Sequence, residues 1–390
     1  MADSDTDMDP NDDPWIETED MIAKTPPGPD WGSFVKHIPQ LGNIGRLQVA
    51  VPCTGISGAS YAFEAMKIPA DFINIWDLDA RYADHLEQHF LKLGMDASDI
   101  ILNLGKRRGD LLTLPLDKIT TPVHILIAGP PCPPWASQGT HRSLKDARAQ
   151  VFVRLLVWCF VLVHTGKLLG VVLENVPGIL NRHYGREPTM AVFLRALRKF
   201  IPEMSWDVDT LKARDYGLPQ SRKRVFLRGL LKRVLPYVPK VMPPFICNRR
   251  VDDLLGDFPA TSRCLLTLPQ QDNLEEYEQA IKDKYEKGKL HKDDIVCISV
   301  DRSLCNGFNT NMGVNVISTL QTGNRYLFVI SVGCVVDDLP DEDRRFFRLL
   351  MPTERLTLQG FPPDVLRNLP THTTCLKAAG NVHIPSTLII

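Results

Sequence analysis

Five short runs of β-branched and aliphatic residues constrain this chain more than any other feature: LQVAVP (47–52), DFINIW (71–76), ILNL (101–104), VHILIA (123–128) and LGVVLEN (169–175). Runs of this length and composition read as buried strands. Most are separated by turns and helix-spaced segments, namely YAFEAM (61–66), RYADHLEQHFLKLG (81–94) and residues 147–163. Strands alternating with helices predict an α/β fold with a parallel, doubly wound sheet. Ligands bind beyond the carboxyl ends of the strands in such sheets, so the residues that follow each run are the first candidates for a site.

The rhythm breaks elsewhere. Residues 1–45 read as a disordered acidic tail and linker. Residues 46–230 carry the strand–helix alternation, with a helix over 186–200 and two strands bracketing RDYGLPQSRKR within 205–228. Beyond it, prolines cluster (VLPYVPKVMPP), a charged helical stretch follows at 273–290, and short strand-like runs come at 295–300 and 326–336. Residues 231–345 therefore read as a separate small domain, and 346–390 as a return to the first.

Charge is uneven along this plan. Residues 1–22 hold nine acids and no Lys or Arg. With 45 Lys and Arg in the chain and 37 of its 46 acids beyond residue 22, the remainder carries +8, which is compatible with a polyanionic partner. The nine cysteines are odd in number, form no C-x-x-C pair and show no zinc-finger spacing with histidine, so neither a disulfide framework nor a metal site is expected. The first residues lack a basic segment leading into an apolar stretch, as a secretory signal would have. The longest apolar run, 151–163, contains Arg154 and is too short to span a bilayer. The expectation is a protein of the cytoplasm or nucleus, neither secreted nor in a membrane.

The strand VHILIA runs into GPPCPPW, where Cys132 has two prolines on each side. Prolines fix φ and remove donors, which predicts a stiff, extended loop with a thiol at its centre and no helix across it. A lone cysteine is more often a packing residue; held rigidly at a strand end it is also a candidate nucleophile. The turn CTGISGAS brings Gly55 and Gly58 between a strand and a helix, where a nucleotide can approach the backbone. Asp77 ends the second run and could accept ribose hydroxyls; Asp110 follows the third and could meet an adenine amino group. Each acid alone could equally cap a helix or a turn. The dehydrogenase fingerprint G-x-G-x-x-G is absent. Glu174 ends the fifth run and could act as an acid or base on a ring. Gln220, Arg222 and Arg224 follow a Tyr-Gly turn, and the two arginines, spaced by two, share a face of an extended segment.

Together these segments resemble the C5-cytosine-specific DNA methyltransferase family, in order and across about 345 residues. The glycine turn 53–58 looks like the first family motif, GPPCPPW the catalytic-cysteine motif, LENV the Glu-Asn-Val motif and ARDYGLPQSRKR the Gln-x-Arg-x-Arg motif; MPTERLTLQGFP (351–362) and GNVHIP (380–385) resemble the last two. The resemblance implies a Rossmann-like, mostly parallel class I methyltransferase domain with a target recognition domain over 231–345. It implies S-adenosyl-L-methionine as methyl donor and double-stranded DNA, bound by a monomer, as substrate. Cys132 would attack C6 of a flipped cytosine. Glu174 would hold the ring, and Arg222 would contact the base or its phosphate and lower the thiol pKa. Gln220 and Arg224 would support the flipped nucleotide and the loop. Thr54, Gly55, Ile56, Ser57, Gly58, Asp77, Asp110, Leu111, Pro130 and Asn381 would line the donor.

The chain departs from the family pattern in several places. Cys53, Thr54 and Ser57 interrupt the usual Phe-Ala/Cys-Gly-x-Gly-Gly, and Pro133 replaces the usual glutamine. Ala136 stands where a serine is usual, with Ser137 displaced by one, and Val382 replaces a common serine. Two other functions share these features: an RNA cytosine methyltransferase, whose tRNA-methylating branch carries a Cys-Phe-Thr tripeptide not found here, and a catalytically silent nucleic-acid-binding homologue, which intact Cys132, Glu174 and Arg222 argue against.

Overall fold

The computed structural model describes residues 17–27, 45–119, 121–136, 143–165, 167–182, 186–244, 249–304, 312–320, 326–340, 344 and 346–381. Seven strands form the main sheet: β1 (Leu47–Pro52), β2 (Ala70–Asp77), β3 (Leu102–Leu104), β4 (Ile125–Ala128), β5 (Gly170–Asn175), β6 (Met204–Lys212) and β7 (Lys223–Leu231), in the order β3-β2-β1-β4-β5-β7-β6. β1 to β5 pair in parallel, whereas β7 runs antiparallel to both β5 and β6. The order reverses between β1 and β4, so the loops leaving these two strands diverge and open a crevice. Residues 53–58 and 129–136 are those loops.

Alternation along the strands separates two cores. Ala50, Leu126, Ala128, Val171 and Leu173 face α4 (Ala149–Thr165) and α5 (Thr189–Phe200), which follow α2 (Gly58–Ala65) and α3 (Ala83–Lys92) in the chain. Val49, Val51, Phe72, Ile75 and Ile127 face the other way, onto Phe63, Leu86 and Phe90. That second core also takes in Met351, Leu356, Phe361, Cys375 and Ala378, from α8 (Pro352–Thr357), α9 (His372–Asn381) and the residues around them. The C-terminal segment thus packs beneath the first glycine turn.

The acidic character of residues 1–45 favours a disordered tail, yet Thr18–Lys24 form helix α1. Met21 is fully buried in the second core, Arg367 grips Glu19 in a fork at 2.7 and 2.8 Å, and Thr25 Oγ1 lies 2.7 Å from Thr353 Oγ1. One apolar side chain and three long-range polar contacts outweigh the local composition, since Thr18 Oγ1 also meets His372 Nε2 at 3.2 Å. Most of the acidic run, residues 1–16, lies outside the described residues.

A smaller antiparallel sheet, order β11-β10-β8-β9, is built from β8 (Ile295–Ser299), β9 (Gly313–Val314), β10 (Leu327–Ser331) and β11 (Arg348–Leu349). One face carries α6 (Leu268–Glu286) through Leu274, Tyr277 and Ile281; the other packs on Ile317, Leu350 and Leu358. The strand-like run expected at 326–336 ends at Ser331, and Val332–Val336 turn into a short helix, α7, against α6. Here packing overrides the β preference of valine. The segment 346–358 holds a fully buried ion pair: Arg348 meets both Glu354 oxygens, at 2.7 and 2.8 Å, and each residue is 0% exposed. Among the described residues no helix is long and apolar enough to cross a membrane.

A histidine pair lies under the glycine turn. His89 Nε2 meets Ser60 Oγ at 2.8 Å, Tyr61 stacks on His89 at 4.0 Å, and His85 Nε2 lies 3.4 Å from the Ile56 carbonyl oxygen. Burial pushes His85 down to about 4 and His89 down to about 3; for His89 the neighbouring His85 adds to the effect. In the unfolded chain both rings take a proton near pH 6.5. The stability they hold is therefore full above pH 6.5 and is lost as pH falls from 6.5 toward 3–4, because the unfolded state binds more protons. Thermal melts are expected to lose several degrees between pH 7 and pH 5, and the slope to flatten in the His85→Gln/His89→Gln double variant. An unchanged slope in that variant would assign the acid sensitivity elsewhere.

Candidate active site

A cleft of about 1280 Å³ opens at the carboxyl ends of the parallel strands. It brings together Cys53, Gly55, Asp77, Asp110, Leu111, Pro130, Cys132, Glu174, Arg222, Arg224 and Asn381. These residues come from both halves of the main sheet and from α9, and are separated by as many as 328 positions.

Cys132 follows β4, but not in an extended loop. The backbone N–H groups of Trp135 and Ala136 both donate to the Cys132 carbonyl oxygen at 3.0 Å, which closes one helical turn straight after the cysteine. Pro133 and Pro134 are the first two residues of that turn, where a missing N–H loses nothing and φ near −65° is already helical. The prolines thus start the turn rather than forbid it. The turn is anchored from behind. Asn175 Nδ2 donates to the Pro130 carbonyl oxygen at 3.1 Å, and Trp135 Nε1 donates to Thr189 Oγ1 at 3.1 Å. A Cβ at Gly178 would run into the Trp135 carbonyl, so only glycine lets the segment after β5 approach this closely. Ser137 lies outside the described residues.

Glu174, at the end of β5, pairs with Arg224 on the adjacent β7, Nε to Oε1 at 2.7 Å, with both side chains only 11–13% exposed. Arg222 precedes the strand on the same side. Its Nη1 donates to the Gly380 carbonyl oxygen at 3.3 Å, tying β7 to α9. Burial lowers its pKa to about 9, and Arg224 adds to that, against Glu174 and Cys132. Burial also pushes the Cys132 thiol up; Arg224 pulls it down, Glu174 pushes it up and Arg222 pulls it down, with a net rise. The sequence singled out Arg222 as the cation acting on the thiol, but Arg224 exerts the larger pull. Gln220 is fully buried behind the cleft wall, and neither its side-chain oxygen nor its nitrogen has a partner.

The opposite end of the cleft is acidic. Asp77 Oδ2 accepts from Gly55 N at 2.8 Å and Oδ1 from Asp79 N at 2.9 Å, so this carboxylate shapes the glycine turn as well as facing the cleft. Burial raises its pKa, against the backbone N–H bonds that lower it. Asp110 Oδ1 accepts from Leu112 N at 3.0 Å. The turn has left-handed backbone at Cys53 (φ 56°), Gly55 (φ 53°) and Ser57 (φ 60°). Glycine adopts that region freely, and other residues at a cost of roughly 1–2 kcal/mol. Cys53 and Ser57, two of the three departures from a glycine-rich turn, therefore hold left-handed backbone under strain. Thr54, Ile56, Ser57 and Gly58 lie beneath the cleft surface. Thr54 Oγ1 and Ser57 Oγ are buried beneath the turn without hydrogen-bond partners and do not line the cleft.

Several cleft residues escaped the sequence reading. Leu78 offers an apolar side chain, 51% exposed, between Asp77 and Asp79. Asn175, buried behind the cleft rather than lining it, carried a signal in its place in LENV, but its clamp on Pro130 spans 45 residues. Asp301, Arg302, Thr319 and Leu320 enter from the small lobe. That lobe is stitched to the arginine segment: Ile317 N donates to the Pro219 carbonyl at 2.8 Å, Ser221 N to the Ile317 carbonyl at 2.9 Å and Thr319 Oγ1 to the Ser221 carbonyl at 3.2 Å. Val382 lies outside the described residues.

Comparison with known proteins gives this cleft a context. The family model described as C-5 cytosine-specific DNA methylase matches residues 52–381. The type II methyltransferase M.NgoBI of Neisseria gonorrhoeae is 25% identical over 343 residues, 85% of this chain and 88% of that protein. M.DsaV of Dactylococcopsis salina is 27% identical over 261 residues, covering 65% of this chain but only 63% of its own length. The Entamoeba histolytica methyltransferase EhMeth shares the fold, with a TM-score of 0.54 at 13% identity over 89% of this chain and 96% of that one.

Proposed function

The chain belongs to the C-5 cytosine-specific DNA methylase family, and from that premise we propose that it methylates C5 of cytosine in double-stranded DNA, with S-adenosyl-L-methionine as donor and one chain acting per target. One observation carries this reading: a thiol, a carboxylate and two guanidiniums share a cleft with two acids placed for an adenosine ligand.

Gly55, Asp77, Asp110, Leu111, Pro130 and Asn381, with Leu78, would hold the donor. Thr54, Ile56, Ser57 and Gly58 would shape the turn beneath the donor. The bound donor supplies an electrophilic methyl group. Attack by the Cys132 thiolate on C6 of an extruded cytosine forms the S–C6 bond and moves the ring electron pair to C5. C5 then takes the methyl group, loses its proton to a base, and the returning electron pair expels the thiolate. Burial holds the free thiol protonated, so closure of Arg224 and Arg222 on the bound nucleotide would favour the thiolate at the moment of attack. Glu174, aligned by its Arg224 pair, would hydrogen-bond the polar edge of the ring and hold it in register. Asn175 positions the cysteine turn.

The test is transfer of labelled methyl groups to duplex DNA, with bisulfite sequencing of DNA from a methylation-free host expressing the chain. Label entering tRNA instead of DNA, or neither, would overturn the proposal. Asp77→Ala is expected to weaken donor binding about ten- to a hundredfold in calorimetric titration, the range for losing hydrogen bonds to a charged group. Unchanged affinity would remove Asp77 from the donor site.

A further inference from the structure

Helix α1 precedes the stretch that matches the family model, which begins at residue 52. It has seven residues, too few to hold a helix in isolation, so it exists through what it docks on. Its contacts converge on the C-terminal segment. Arg367 forks onto Glu19 at 2.7 and 2.8 Å, Thr25 Oγ1 lies 2.7 Å from Thr353 Oγ1, and Thr18 Oγ1 lies 3.2 Å from His372 Nε2. Met21, 0% exposed, belongs to the core that also holds Met351, Leu366, Cys375 and Ala378. At the end of α1 the Lys24 carbonyl oxygen lies so close to Gly256 that a Cβ there would come within 2.4 Å of it.

His372 opens α9, a helix of ten residues and so about 15 Å long. Its other end reaches the cleft: Gly380 and Asn381 line it, and Arg222 Nη1 donates to the Gly380 carbonyl oxygen at 3.3 Å. One helix is thus held at its start by α1 and at its end by the cleft wall. Cys375 and Ala378, between the two ends, share a core with Met21, and a close-packed core passes a displacement on rather than absorbing it. A helix as short as α1 is either docked or melted, which gives two states. We propose that α1 is a positioning element for the donor site: docked, it fixes α9 so that Gly380 and Asn381 complete the pocket for S-adenosyl-L-methionine, and undocked, it releases them. The inference rests on the methyltransferase reading above and adds a control on that site from outside the cleft. Coupling of this kind is reciprocal, so donor binding must favour docking of α1 by the same factor that docking favours the donor.

Two measurements test this. Calorimetric titration with S-adenosyl-L-methionine compares wild type with Met21→Asp, which puts a charge into the core and expels α1, and with Met21→Leu, which keeps the volume. Amide hydrogen exchange over residues 18–25 is followed in wild type with and without the donor. Met21→Asp is expected to bind the donor about tenfold more weakly, within the ordinary range of coupling between sites, and Met21→Leu to stay within about twofold of wild type. Saturating donor is expected to slow exchange in α1 by about the same tenfold. A helix that serves stability alone leaves this exchange indifferent to the donor, and that result overturns the proposal even if Met21→Asp fails to fold. Unchanged donor affinity in a folded Met21→Asp overturns it as well. Wild type that binds no donor would instead overturn the methyltransferase reading, and this inference with it.

Discussion

Replacing Cys132 by alanine is expected to abolish methyl transfer, by on the order of 10⁴-fold or more, while donor and DNA binding persist. The side chain sits at the head of a turn closed by two backbone hydrogen bonds, Trp135 N and Ala136 N to the Cys132 carbonyl, and alanine preserves both. The clamp from Asn175 also falls on backbone, at Pro130. The variant should therefore fold normally and lose only the nucleophile. Two readouts check this: labelled methyl transfer to duplex DNA, and a covalent adduct on 5-fluorocytosine DNA visible by denaturing electrophoresis. An adduct that persists in Cys132→Ala would transfer the role to another nucleophile, with Cys53, which also lines the cleft, the first to examine. Burial pushes the Cys53 thiol far up, with the Asp77 carboxylate adding to it, which makes it a poor nucleophile beside Cys132.

The largest stability effect is expected at Glu354. Its two oxygens accept from Arg348 at 2.7 and 2.8 Å, from Gly256 N at 2.7 Å and from Met351 N at 2.8 Å, so the carboxylate is fully satisfied. Arg348 also donates to the carbonyls of Gly256 and Leu349. Both side chains are excluded from water, and the network joins α8, β11 and the 256 turn. Glu354→Ala leaves a guanidinium buried without its counter-charge, a loss of about 3–5 kcal/mol for pairs of this kind. Chemical denaturation should show the drop directly. Arg348→Met/Glu354→Leu, which removes both charges, is expected to recover part of it. A change under about 1 kcal/mol in Glu354→Ala would mean that water reaches the site.

The parallel strands were legible because each is short, aliphatic and closed by a turn. β1, β2 and β5 lie within a residue or two of the runs LQVAVP, DFINIW and LGVVLEN. Periodicity also located the strands on either side of RDYGLPQSRKR. Composition misled at two places. The acidic N-terminal region hid α1, which depends on Met21 reaching a core that includes residues over 300 positions away, among them Met351, Leu366 and Ala378. Valines 332, 335 and 336 read as strand but coil against α6. In both, contacts remote in sequence outweigh a local preference, and no window along the chain contains them.

The same division runs through the site. The sequence by itself determined which groups are present and in what order: the thiol within its prolines, a carboxylate at the end of β5, two arginines on one face and acids after β2 and β3. Each signal is local, set by the side-chain period of a strand or the fixed φ of proline, and so survives without the fold. Only the tertiary structure decided who partners whom. It paired Glu174 with Arg224, closed a helical turn on the prolines after Cys132, and set Gln220 behind the wall. It also brought Asp301, Arg302, Thr319 and Leu320 from another lobe into the cleft that holds the cysteine. Apart from the proline turn, which is local, those outcomes depend on distances between segments such as 174 and 224 or 132 and 302, which are 50 and 170 residues apart. Such distances come from sheet order and packing, which local pattern does not encode.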